Sequence, residues 1–332
     1  MTINIGLDLG QSGLKCVGVK GSVNFPSQAA LMSGGVDASF SKKRARPIVV
    51  SNETFGEMYV GPHAHRWGVP VENFDFGRLA GVTPEMRAIF YGALTEYQRK
   101  YGRFEEPLEV VAGLPMQMLG ADEKGKKYER QVKGWIGGAH HWKADGAEFE
   151  ATIVGLTLVP QSLGAVVDYA FDMDGQAISA ERNKALTQEN ATVWIGSNTV
   201  EVQVTKRDED TRRFNGGADI GVRWLHNQMD PSGSWSFGEF DELLRAKDLP
   251  EGMDLDSFIE PWATRIFGFM NRLWGQAGRN RFYRIFVGGG GSLLLRDQFL
   301  REYNGKVVFA DDPVMSIAQG LYKRMVAIQR KK

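Results

Sequence analysis

The chain has 332 residues, more than a single ordinary core organises and enough for two domains. Apolar residues at 42% and charged residues at 24% exclude disordered and fibrous classes, and 40 Lys plus Arg against 40 Asp plus Glu leave no net field that draws the chain to nucleic acid or an acidic membrane. The one cysteine, Cys16, forms no internal disulfide and has no neighbours at metal-ligand spacing, which predicts a reducing cytoplasm and argues against structural zinc.

Asp8 interrupts the apolar run from Ile3 to Leu9, so this segment reads as a strand and not as a secretory signal. A break at Gly10-Gln11-Ser12-Gly13 and a second apolar run from Leu14 to Val19 predict a hairpin. Residues 31 to 82, rich in glycine and proline, predict small strands and loops, with strand-like pieces near Ile48 to Val50 and Met58 to Val60. Met86, Ile89, Phe90, Ala93, Leu94 and Tyr97 recur at helical spacing and predict a helix from Pro84 to Tyr101, capped by Thr83. Leu108 to Leu114 reads as a buried strand, Asp122 to Trp135 as a helix and Ala151 to Leu158 as a strand, followed by Pro160 and a helix to about Phe171. The polar stretch from Asp172 to Asn190 is the expected crossing between lobes. Beyond it come a strand from Ala191, helices near Ala218 to Met229, Phe240 to Lys247 and Asp256 to Gly278, and a strand from Arg284 to Val287. Four glycines then precede a helix from Ser292, a strand from Lys306 to Phe309 and a C-terminal helix expected to pack on the first lobe. Alternating strands and helices predict an α/β class. No run reaches the roughly 18 to 20 apolar residues that span a bilayer.

Ile5 to Lys20 and Val193 to Lys206 share one plan: an apolar strand, a glycine-led polar turn and a second strand ending in lysine. That points to a duplicated supersecondary unit. Three glycine-bearing turns follow predicted strands: Gly10 to Gly13, Gly196-Ser197-Asn198-Thr199 and Gly288-Gly289-Gly290-Gly291. Glycine turns let backbone amides approach an anion closely, and Asp8 and Lys15 flank the first of them. His63, His65, His140 and His141 lack acidic or thiol partners for a metal site. Trp224, Trp235, Trp262 and Trp274 read as core anchors, and Arg330-Lys331-Lys332 as a solvated end.

These motifs resemble the actin, sugar kinase and heat-shock chaperone superfamily. Asp8-Leu9-Gly10-Gln11-Ser12-Gly13-Leu14-Lys15 looks like its first phosphate motif, Pro160-Gln161-Ser162-Leu163-Gly164-Ala165 like its connecting motif, and Phe286-Val287-Gly288-Gly289-Gly290-Gly291 like its adenosine motif. With Asn215-Gly216-Gly217-Ala218-Asp219-Ile220-Gly221, the order is most similar to ParM-type bacterial and archaeal actins of the ParM/StbA plasmid-segregation kind. The resemblance implies an actin-like α/β fold: two ribonuclease H-like lobes around a nucleotide cleft, the first of 1–158 plus 306–332 and the second of 159–305. It also implies ATP (or GTP) with Mg2+, slow hydrolysis coupled to head-to-tail polymerisation of the chain with itself, and a DNA-binding adaptor as partner for plasmid or phage DNA segregation. By the same resemblance Asp8 is expected to hold the metal through water and Gln161 to orient the attacking water. The resemblance also implies that Gly10, Gln11, Ser12, Gly13, Lys15, Gly196, Ser197, Asn198, Thr199, Gly216, Gly217, Gly288, Gly289 and Gly290 contact nucleotide. A sugar-type kinase on the same scaffold and a low-turnover nucleotide-binding scaffold are the alternatives.

One departure stands out: Trp194 occupies the position where the second phosphate motif opens with aspartate. Either Asp8 holds the metal with less help, or hydrolysis is slow, or the alignment is shifted. Glu201 lies on the same strand face as Thr199, farther along.

Overall fold

Two chain segments each build a core of their own, Met1–Val159 and Pro160–Lys332. The computed structural model describes residues 2–32, 45–71, 76–81, 83–207 and 209–330, without the side chains of 276–279; the end residues Lys331 and Lys332, and part of the loop-rich stretch 31–82, lie outside these.

The first unit contains β1 (Ile3–Leu9), β2 (Gly13–Gly18), β3 (Gly21–Pro26), β4 (Ala29–Met32), β5 (Ile48–Asn52), β6 (Gly56–Val60), β7 (Gly68–Val71), α1 (Phe76–Leu79), α2 (Pro84–Tyr101), β8 (Leu108–Leu114), α3 (Glu123–Ile136), β9 (Gly138–Ala144) and β10 (Ala147–Pro160). The strands form one sheet in the order β3-β2-β1-β8-β10-β9-β5-β6-β4-β7. Alternation along β1 sends Ile5, Leu7 and Leu9 into the core with the apolar stripe of α2, while Asp8 takes the other face. Thr83 precedes α2 in extended conformation but its side chain makes no cap bond, whereas Asp122 caps α3 by accepting from the Gly125 amide at 2.7 Å. Cys16 is fully buried on β2, and burial pushes its thiol up to about 12.

His140 on β9 is buried and packs edge-on against the rings of Phe90 and Tyr91. The Ile136 carbonyl, 2.7 Å from Nε2, can only accept, so Nε2 carries the hydrogen and Nδ1 accepts from the Tyr91 hydroxyl at 3.2 Å. Burial holds the imidazole below its ordinary pKa, against the pull of the Ile136 carbonyl. The unfolded chain therefore takes up this proton first, so the contribution is complete above about pH 6.5 and is lost as pH falls below it. Denaturant melts from pH 7.5 to 5 are expected to show stability falling with acid, with a shallower slope in His140→Leu; an unchanged slope counts against this assignment.

The second unit contains α4 (Gln161–Ala170), α5 (Ala180–Lys184), β11 (Glu189–Ile195), β12 (Val200–Lys206), β13 (Glu209–Asp210), β14 (Gly216–Ala218), α6 (Val222–Met229), α7 (Phe237–Ala246), α8 (Leu255–Arg281), β15 (Ile285–Gly288), α9 (Arg296–Glu302), β16 (Val307–Phe309) and α10 (Ser316–Gln329). Its sheet runs β13-β12-β11-β15-β16, with β14 alongside β12. One face carries the core of Val193, Ile195, Val200, Val202 and Val204 against Trp262, Ile266, Met270 and Trp274, a stripe of α8 at i, i+4 spacing. α4 and α10 pack together, and they approach so closely that a Cβ on Gly320 would sit 1.8 Å from the Gly164 carbonyl oxygen. Lys323 on α10 pairs with Asp168 on α4 at 2.6 Å.

The duplication expected from sequence recurs in the topology. In each unit the central strand lies between its antiparallel hairpin partner and a parallel strand from later in the chain: β2-β1-β8 in the first unit and β12-β11-β15 in the second.

Several expectations need correction. The chain leaves the first unit at Val159–Pro160, so the polar stretch 172–190 lies within the second. The segment 306–332 groups with the second unit too, where β16 pairs with β15 and α10 packs on α4. Residues 216–218 are drawn into β14 against β12, which delays the helix expected from Ala218 until Val222. α7 begins at Phe237 through a Ser236–Glu239 capping box. A 3-10 turn over Gly290–Leu293 separates the glycines from α9 at Arg296.

Candidate functional site

In the first unit, antiparallel pairing sets Asp8 directly opposite Lys15 and Leu9 opposite Leu14, leaving Gly10–Gly13 as a four-residue turn. Lys15 Nζ lies 3.1 Å from Asp8 Oδ2, with the two side chains 9% and 1% exposed, so this pair is enclosed and neutral overall. Ser27 ties the turn down from behind: its amide donates to the Ser12 carbonyl at 3.0 Å and its hydroxyl to the Gly10 carbonyl at 2.8 Å. The Gln11 and Ser12 amides have no backbone acceptor among the described residues.

The second unit repeats this arrangement with different side chains. Ile195 lies opposite Val200 and Trp194 opposite Glu201, and Gly196–Thr199 form a turn of the same four-residue length. In this register Trp194 stands where Asp8 stands, and Glu201 where Lys15 stands. This turn is anchored by the start of α6. The amides of Gly221, Val222 and Arg223 donate to the carbonyls of Asn198, Gly196 and Ser197 at 3.1, 3.0 and 2.7 Å, and Arg223 Nε donates to Asn198 Oδ1 at 2.8 Å. Orphan amides of the helix terminus thereby turn the loop carbonyls inward. The Ser197 and Asn198 amides have no backbone acceptor among the described residues. Loops of this kind suit an anion.

Gln161 is the first residue of α4, half-buried after Pro160, and the next side chain, Ser162, donates its hydroxyl to Gln203 Oε1 on β12. Gly216 and Gly217 lie in β14, with Gly217 opposite Glu201. Immediately after them, Asp219, Ile220, Thr264, Arg265, Gly268 and Arg272 line a cavity of about 510 Å³, within the size range of small-molecule sites. Arg265 and Arg272 are binding candidates that the sequence reading missed; their i, i+7 spacing on a polar helix face was the available signal.

The glycines after β15 differ in what they do. A Cβ on Gly288 would lie 2.1 Å from the Trp194 ring, and Gly289, at φ 83°, would place one 2.4 Å from the Ile195 carbonyl oxygen. Gly290 is exposed and a Cβ there meets nothing within 4 Å. The first two are demanded by packing, and only Gly290 faces open space. Trp194 also borders a second cavity of about 340 Å³, with Tyr169, Phe286 and the Asp168–Lys323 pair in its walls. Burial pushes the Asp168 carboxyl up, against the pull of Lys323.

Among the described residues no cluster of three or more His, Cys, Asp or Glu side chains could hold a metal alone. The donors nearest the turns are carboxylate oxygens, which fit a hard cation bound through water and phosphate and do not fit zinc. No described helix is long and apolar enough to cross a membrane.

Each unit thus carries a strand-turn-strand hairpin whose glycine-led turn has the same length. Neither a protein-family model nor a curated protein sequence matches the chain. Solved structures do. The actin-like protein Alp7A is 14% identical with a TM-score of 0.74, the alignment covering 100% of this chain and 98% of that one. The archaeal actin homologue Ta0583 in complex with ADP is 18% identical at 0.70, covering 99% and 100%. The subunit of a 15-stranded ParM filament from Clostridium botulinum is 20% identical at 0.69, covering 98% and 99%. The chain has the actin-like fold of ParM-type proteins.

Proposed function

We propose that this protein is a nucleotide-dependent, filament-forming ATPase of the ParM kind, acting in the cytoplasm in DNA segregation or another cytomotive role through an adaptor protein. The observation that carries the reading is the pair of equal-length turns at one register, each tied back through its carbonyls so that amides are left for an anion. The ADP bound to one structural neighbour and the filament formed by another support it. In this reading the two turns are the phosphate-binding elements, Lys15 meets phosphate, and Arg265 and Arg272 border the nucleoside end. Gln161, at a helix start, orients the attacking water, which needs no shifted pKa. A magnesium ion at Asp8 would supply charge neutralisation of the phosphates. Head-to-tail contacts between identical subunits do not close and so build a filament.

Light scattering with ATP, ADP and a nonhydrolysable analogue, read together with phosphate release, tests this. Scattering that rises with ATP and decays with hydrolysis is expected. Turnover only on adding a sugar would instead indicate a kinase, and binding with neither signal a passive scaffold.

A further inference from the structure

The cavity of about 340 Å³ lies wholly within the second unit, between its sheet and the helices α4, α5 and α10, and its walls carry four charged side chains: Asp168, Arg182, Asp311 and Lys323. Their charges sum to zero, but only two of them are paired. Asp168 and Lys323 satisfy each other at 2.6 Å with side chains 9% and 11% exposed, and Lys323 Nζ also donates to the Asp168 carbonyl at 3.1 Å. Arg182 and Asp311 are left over: among the described residues neither side chain has a hydrogen-bond or ion-pair partner, so the two stand too far apart to meet each other. The charge of Asp311 pushes the Asp168 carboxyl up further, which puts an unpaired carboxylate beside the satisfied pair.

The Arg182 guanidinium is held without an ionic partner. It lies 4.9 Å over the Tyr169 ring, which in turn meets Phe286 edge-on at 5.3 Å. Stacking of this kind fixes the plane of the fork, and a carboxylate engages that fork through two parallel bonds. On the sheet side Phe286 is buried and Trp194 half-buried, so the remaining wall is aromatic. The Trp194 indole, packed on Gly288, is therefore part of the lining and more than a filler. We propose that this cavity binds a free apolar α-amino acid, its carboxylate on Arg182, its ammonium on Asp311 and its side chain against Tyr169, Phe286 and Trp194. A simple acid would meet the Asp311 carboxylate and a simple amine the Arg182 guanidinium, whereas a zwitterion answers both. The volume, at the small end of ligand sites, suits a molecule of this size. Nothing in this inference depends on the nucleotide reading.

Calorimetric titration of the full chain with L-phenylalanine tests it. Saturable binding is expected. N-acetyl-L-phenylalanine, which lacks the ammonium, and L-phenylalaninamide, which lacks the carboxylate, should each bind roughly 10-fold or more weakly, the scale of one charge-assisted contact. Glycine, with no apolar side chain, should bind more weakly by a similar factor. Arg182→Gln should weaken L-phenylalanine while leaving the amide unaffected, and Asp311→Asn should weaken it while leaving the N-acetyl form unaffected. The blocked ligands need no substitution, so their titrations into the parent decide the matter even where a variant melts early. Absence of L-phenylalanine binding at millimolar concentration overturns the inference. So do blocked forms that bind as well as the free amino acid, or an unchanged L-phenylalanine affinity in Arg182→Gln.

Discussion

Replacing Asp8 with alanine is expected to abolish the magnesium dependence of nucleotide binding. In the parent, magnesium should tighten a fluorescent ATP analogue through the Asp8 carboxylate. Loss of one charge-assisted contact of about 2–3 kcal/mol corresponds to roughly 30- to 160-fold in affinity. The same change strands Lys15, whose side chain is only 9% exposed, without its 3.1 Å partner. Removing one member of an enclosed ion pair costs about 3–5 kcal/mol, so the variant should also melt earlier. Lys15→Met separates the two effects: it withdraws the ammonium 3.1 Å from Asp8, and should lower stability while magnesium still tightens the nucleotide. Titrations with and without magnesium, paired with thermal melts, decide the matter. An Asp8→Ala protein that keeps its magnesium effect removes Asp8 from the site.

The second large effect sets Gly288 against Gly290. A methyl group on Gly288 would lie 2.1 Å from the Trp194 ring, a distance that real side chains do not tolerate. The ring or β15 must move, which costs about 1–3 kcal/mol, with roughly 2–4 °C of Tm lost per kcal/mol. Gly288→Ala should therefore be destabilised, and Trp194→Leu in the same chain should recover part of the loss by withdrawing the ring. Gly290→Ala meets no atom within 4 Å and should melt within about 0.5 kcal/mol of the parent. Because Gly290 alone of the three faces open space, its methyl group should instead weaken nucleotide binding. Melts that rank the two variants the other way would show that the glycines after β15 are not divided as described.

Elements with local causes were legible in the chain itself. The α2 stripe repeats at helical spacing from Pro84 to Tyr101, and the helix occupies that span. Leu108–Leu114 is a short apolar run closed by Pro115, and it forms β8. The β1 and β11 hairpins were legible because a polar glycine turn divides two apolar runs in each. Two local signals were present and passed over. Asp145-Gly146, with φ of 50° and 80°, is the Asp-Gly turn that joins β9 to β10, and Ser236 with Glu239 is the capping box that starts α7. What stayed hidden depends on distant partners. Gly216–Ala218 become a strand only because β12 offers them a ladder. The place of α10 depends on a contact between Gly164 and Gly320, which no spacing along the chain announces. The polarity of 172–190 marks solvent and not a unit boundary. For the candidate site, the turns and Asp8 were readable as motifs. The pairing of Glu201 with Trp194 was not, since it depends on how the two strands meet in the ladder.

The anchoring of Gly196–Thr199 by the first amides of α6 has a thermodynamic consequence. A glycine-led loop that must be ordered by its ligand spends part of the interaction energy on lost chain freedom, on the order of 1–2 kcal/mol per residue fixed. Here that entropy is surrendered during folding, when α6 docks, so on the proposed reading an anion held by this loop would spend none of its contact energy on ordering it.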